Sequence, residues 1–122
     1  MTTLKNFLFL IVLFQASFVF ALSDKTTPEE LDDLYSNSDT KALVLNYFRG
    51  LGAGISWAST FEGDFFCPPD DQAFNGEDYY LIYKTELTRN KSLYDSIKEA
   101  LGYTPPGMVL LQGLKADFPC SQ

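Results

Sequence analysis

From residue 27 onward, apolar positions recur at helical spacing in five stretches, each separated from the next by a polar or Gly/Pro-rich break. In "DKTTPEELDDLYSNSD" Thr27 is placed as an N-cap, Pro28 takes the first helical position, and Leu31, Leu34 and Tyr35 share one side. "NSDTKALVLNYFRGLGAGISWAS" offers Ser38 or Asp39 as a cap and sets Leu43, Tyr47, Gly50, Gly54 and Trp57 on one face of what should be the central helix. "TFEGDFFCPPDDQAFNGED" reads as a connecting loop, rich in Gly, Pro and acids. "YYLIYKTELTRN" returns to helical spacing through Tyr80, Tyr83 and Leu87; its Tyr and Ile content suits a strand, but no second strand is available to pair with it. In "KSLYDSIKEALGY" Ser92 caps, Leu93, Ile97 and Leu101 form a stripe, and Gly102 stops the helix. A last helix opens at Thr104 and Pro105 and carries Gly107, Leu111, Leu114 and Phe118. The pattern predicts an all-α fold, a compact bundle of about four to five short helices, with no internal repeat.

Residues 1–21 form a separate unit: one cation, Lys5, an apolar run broken only near Gln15, then Val19 and Ala21 at the spacing a signal peptidase reads. The run is shorter than the roughly 20 residues a spanning helix needs, so the expectation is a cleaved export signal rather than an anchor. Residues 22–122 then make one small domain with a modest core. Cys67 and Cys120 are the only cysteines, and in an oxidising compartment the expectation is that they pair. The 16 acidic and 9 basic residues give a formal charge of −7. Such a surface repels nucleic acid and anionic lipid and favours basic partners.

The glycines of "YFRGLGAGISWAS" do not make a phosphate loop. A dinucleotide fingerprint would need a third glycine where Ile55 stands, and a Walker loop would need a Gly-Lys-Ser/Thr ending. In a helix, Gly50 and Gly54 lie on one face and let a neighbouring helix approach the backbone. Together with Tyr47 and Trp57 they are expected at a contact, either with a helix of the same chain or with a second copy in a homodimer.

The chain contains no histidine, which removes Ser-His-Asp and Cys-His catalysis and histidine-ligated zinc. Asp70 and Asp71, adjacent in a Pro-rich loop, do not suit a pair of glycosidase carboxylates. The same loop fails as an EF-hand, since Ala73 and Ile82 stand where oxygen ligands belong. "NKS" at Asn90 is a glycosylation sequon only in a eukaryotic chain. No enzyme activity, metal or cofactor is therefore expected. The loop from Phe61 to Asp78 mixes aromatic and acidic residues, a composition suited to protein binding. Asp64, Asp70, Asp71, Glu77 and Asp78 are expected to steer a basic partner, and Phe65, Phe74 or Tyr79 to anchor it.

With its export signal, "NYFRGLGAGISWA", "FCPPD" and the closing "GMVLLQGLKADFPC", the chain resembles the Rap/Tai family of immunity proteins from about residue 40 to Cys120. The resemblance rests most specifically on Tyr47 to Gly50, on Phe66-Cys67-x-Pro69 and on Phe118-Pro119-Cys120. It implies a small periplasmic helical protein that protects a bacterium from a peptidoglycan-cleaving, amidase-like effector toxin of type VI secretion by occluding its active site. It also implies that Cys67 and Cys120 are structural and that Tyr47, Gly50 and Gly54 belong to the central helix. Two rival readings are a periplasmic acid-stress chaperone of the Hde type and a carboxylate-dependent hydrolase.

Overall fold

A computed structural model describes residues 22–121; the expected export signal, residues 1–21, lies outside the described residues. The first helix, α1 (Pro28–Ser36), starts where local chemistry dictates. Thr27 Oγ1 accepts from the Glu30 backbone N–H at 3.1 Å, and Glu30 Oε2 accepts from the Thr27 N–H at 2.8 Å, so two orphan donors are satisfied reciprocally. Its Leu31 is fully buried, and Tyr35 stacks on Tyr80 with ring centroids 4.2 Å apart.

The central helix α2 (Lys41–Glu62) is capped at Thr40 rather than at Ser38 or Asp39. The Thr40 hydroxyl is not spent on the cap; it donates to the Leu34 carbonyl at 2.7 Å and fastens the turn to the end of α1. The next helix, α3 (Gly76–Arg89), begins earlier than the sequence pattern suggests, because Asn75 and Asp78 form a second reciprocal cap, at 2.9 and 2.8 Å. Asn90 both ends α3 and begins α4 (Lys91–Leu101), which Gly102 closes at φ +81° in the left-handed region. The last helix, α5, runs from Pro106 to Asp117 with Pro105 as its N-cap. The described residues thus form five helices and no strand, an all-α bundle.

The hub is α3, which packs on both α2 and α5. Tyr79, Tyr80, Tyr83 and Glu86 are buried along it, meeting Val44 and Phe48 from α2 and Val109, Leu110 and Leu114 from α5 within one core. Two glycines set the closeness of α2 and α3: a Cβ at Gly52 would overlap the Tyr79 ring, and one at Gly76 would overlap the Leu45 carbonyl. At Gly50 and Gly54, by contrast, an added Cβ meets nothing within 4 Å. The expected intrachain contact at those two positions is therefore corrected: it is made by Gly52, on the neighbouring face.

α4 also departs from expectation. Leu93 and Leu101, two of its three stripe residues, are exposed; Ile97 packs against the core as expected, and the buried residue of the helix is Tyr94. The Tyr94 hydroxyl donates to Glu86 Oε1 at 2.8 Å; Asn90 Nδ2 donates to the same oxygen at 2.7 Å and Arg89 to Oε2 at 2.9 Å. Arg89 reaches on to Asp117 of α5 at 2.6 Å, so one buried carboxylate ties the α3–α4 junction to the last helix. Tyr83 lies at the core centre with a buried hydroxyl that has no hydrogen-bond partner among the described residues.

Cys67 and Cys120 form a disulfide with Cα atoms 4.9 Å apart, and the Cys67 N–H donates to the Phe118 carbonyl at 2.8 Å. The bridge closes 53 residues of chain. On the chain-entropy model it stabilises the fold by about 4 kcal/mol. A disulfide is compatible with an exported protein. Among the described residues no helix is long and apolar enough to cross a membrane.

Candidate binding surface

The C-terminal half of α2 turns one face to solvent. Four residues apart on that face, Trp57 is 64 % exposed and Phe61 76 %, their rings stacked with centroids 5.9 Å apart and planes 15° from parallel. At roughly 200 Å² for a whole aromatic side chain, the pair leaves about 300 Å² of ring surface in water, the size at which an apolar patch commonly has a function. Upstream on the same face lie the open positions of Gly50 and Gly54, the half-buried Tyr47, and Leu43, which is exposed.

Gly63, at φ +106°, ends α2 and turns the chain into the loop. The loop is held from several sides. The Phe65 N–H donates to the buried Ser59 hydroxyl at 2.8 Å, Phe66 is buried, and the disulfide fastens Cys67. Phe74 packs between Tyr79 and Phe118, at centroid distances of 5.4 and 5.2 Å. What the loop leaves outside is charge: Asp64, Asp70 and Asp71 are exposed, as is Glu62 at the end of α2.

Two adjoining shallow cavities lead from Trp57 to this acidic margin. One, of about 280 Å³, runs along Ala53, Ser56, Trp57 and Thr60 to Tyr79; the other, of about 330 Å³, continues from Ser56 and Thr60 to Asp64, Pro68 and Gln72. No cation lines either. Hydroxyl groups, one carboxylate and an aromatic shelf make this a surface that accepts hydrogen bonds and favours positive charge.

The expected contact residues separate accordingly. Asp64, Asp70 and Asp71 stand free on the surface. Asp78 is committed to the α3 cap, and Glu77 accepts from the Tyr35 hydroxyl and pairs with Lys41 at 3.8 Å. Tyr79 is buried, its hydroxyl 3.3 Å from Ser56 Oγ, while Phe65 and Phe74 are half-buried against the core. Those three rings are therefore packed against the chain itself, and the large rings exposed beside the acidic loop are Trp57 and Phe61. The 57–61 spacing was the available signal: two large rings one helical turn apart, next to the chain's acidic loop.

Elsewhere, Asp32 gathers the Lys84 ammonium and the Tyr80 hydroxyl. Burial pushes its carboxyl up, but these hydrogen bonds and the Lys84 charge outweigh that and hold it below the usual carboxylate range. Among the described residues no group of three or more His, Cys, Asp or Glu side chains could hold a metal ion. Comparison with protein-family models, with curated proteins and with solved structures finds no match to the chain.

Proposed function

We propose that this chain is an exported, non-catalytic binding protein of the periplasm, an immunity protein that silences a peptidoglycan-cleaving effector of the amidase class by covering its active site. The observation that carries the binding role is the exposed, stacked Trp57–Phe61 pair beside the acidic margin of Glu62, Asp64, Asp70 and Asp71. Aromatic anchors ringed by charge are the usual composition of an inhibitory interface. A groove that holds an anionic glycan-peptide polymer is basic, and an acidic margin steers toward it. The resemblance to the Rap/Tai family supplies the class of effector.

The test is an affinity pull-down from the producing bacterium with the oxidised chain as bait. The expected result is one dominant, salt-sensitive partner that cleaves peptidoglycan and stops doing so when bound. Trp57→Ala should weaken that complex about 30-fold, as loss of a central anchor worth about 2 kcal/mol does. Charge reversal at Asp70 and Asp71 should slow association at low salt. Turnover by the chain alone would overturn the proposal in favour of a hydrolase, and capture of many unfolded clients only at acid pH would overturn it in favour of an acid-stress chaperone.

A second reading takes the same face as a homodimer seam, because Gly50 and Gly54 lie open on it beside Trp57. Sedimentation separates the two: a dimer that Gly54→Leu dissociates supports the seam, and a monomer in both forms removes it.

A further inference from the structure

The acidity of the chain is uneven. Three of its nine basic residues, Lys84, Lys91 and Lys98, line a single cavity of about 280 Å³, with Glu29 and Asp95 also in its wall, where the N-terminal turn of α1 meets the end of α3 and the Tyr94 face of α4. They recur every seven residues, two helical turns apart, across the α3–α4 junction. Leu87 and the buried Tyr94, whose hydroxyl is committed to Glu86, supply apolar lining. Thr104 completes the wall and is only 4 % exposed.

The three ammonium groups are differently held. Lys84 is fixed by Asp32. Lys91 pairs with Asp95 one turn along α4, and Lys98 lies 3.9 Å from Glu29; the side chains of both pairs are half or more exposed. Exposed pairs of this kind contribute little to stability, so an entering anion exchanges with Asp95 and Glu29 at small cost. The cavity is at the lower end of the volumes that hold small molecules.

We infer that this cavity binds a small amphipathic organic anion, its carboxylate taken by Lys91 and Lys98 and its short hydrocarbon body laid against Leu87 and Tyr94. The inference is independent of the Trp57 surface, and its failure would leave that reading untouched. The probe is octanoate, titrated into the isotope-labelled oxidised chain and followed by amide chemical shifts. Saturable shifts at Leu87, Thr88, Tyr94 and Thr104 are expected, with the neutral analogue octanamide binding at least about tenfold more weakly. Lys91→Gln combined with Lys98→Gln, both on exposed side chains, should raise the dissociation constant by a similar factor while the rest of the spectrum stays folded. No saturable shift at millimolar octanoate, equal binding of octanamide, or unchanged affinity in the double variant would each overturn the assignment.

Discussion

Alanine placed in turn at Gly50, Gly52 and Gly54 measures how closely α2 and α3 are packed. All three glycines lie inside one helix at negative φ, so each substitution gains the same helix-propensity difference, about 1 kcal/mol in favour of alanine. At Gly50 and Gly54 nothing opposes that gain, since the new methyl meets no atom within 4 Å. Both variants should be more stable by about 0.5–1 kcal/mol, a rise in melting temperature of roughly 4 °C for a domain of this size. At Gly52 the methyl would enter the Tyr79 ring, which is 5 % exposed, packed on Phe74 and close to Ser56 through its hydroxyl, so the ring has little room to swing away. Overpacking of that kind costs about 1–3 kcal/mol. Because the helix contribution cancels between variants, Gly52→Ala should fall below Gly50→Ala by about that same 1–3 kcal/mol. The assay is urea unfolding of the oxidised chain, fitted for free energy and slope. If all three variants agree within about 0.5 kcal/mol, or if Gly52→Ala is the most stable, the packing described for α2 and α3 is wrong.

Tyr83→Phe removes a buried hydroxyl without a partner and should stabilise the chain by about 1 kcal/mol in the same assay. Glu86→Ala does the reverse: it strands the Tyr94 hydroxyl and releases Asn90 and Arg89, and a loss of about 3 kcal/mol is expected, with α4 loosened most. Burial, reinforced by Asp32 at Tyr80 and by Glu86 at Tyr94, pushes the phenols of Tyr80, Tyr83 and Tyr94 well above their ordinary value. Their neutral forms therefore stabilise the native state fully below about pH 10, and that contribution is lost as pH rises further. Tyrosinate absorbance should show these three ionising only together with loss of circular dichroism; their ionisation in a chain that keeps its circular dichroism would contradict their burial.

Chain pattern revealed the elements more clearly than the faces. The Thr27-Pro28 start of α1 was legible because the cap is local: donor, acceptor and proline lie within four residues. The Asn75–Asp78 cap uses the same geometry with less familiar residue types, and Gly76 between them made the segment read as loop. In α2 two adjacent stripes are apolar, one through Val44, Phe48, Gly52 and Ile55, the other through Leu43, Tyr47, Gly50, Gly54 and Trp57. Periodicity identifies both and does not choose between them; the ring of Tyr79, far along the chain, makes the first one the core. That choice leaves Trp57, expected at a helix-packing or dimer contact, exposed on the surface of the chain. α4 was misread for a related reason: its leucine stripe is visible in sequence, whereas the buried Glu86 that recruits Tyr94 is a polar residue on another helix. The two cysteines needed no such partner search, and their pairing follows from their number.

The attachment of α4 through one buried side chain has a kinetic meaning. A helix that buries Tyr94 and adds only the partly buried Ile97 beside it has little apolar surface to lose on detaching, so it should open as a unit without the rest unfolding. Its amide protons should exchange with solvent through this partial opening, well before those of α2, α3 and α5. Because α4 also carries Lys91, Tyr94 and Lys98, each opening dismantles the lysine-lined cavity. An occupied cavity would hold the helix shut: with ligand at 100 times its dissociation constant, opening becomes about 100-fold rarer. The rate at which α4 exchanges its protons is thus a gauge of what the cavity contains.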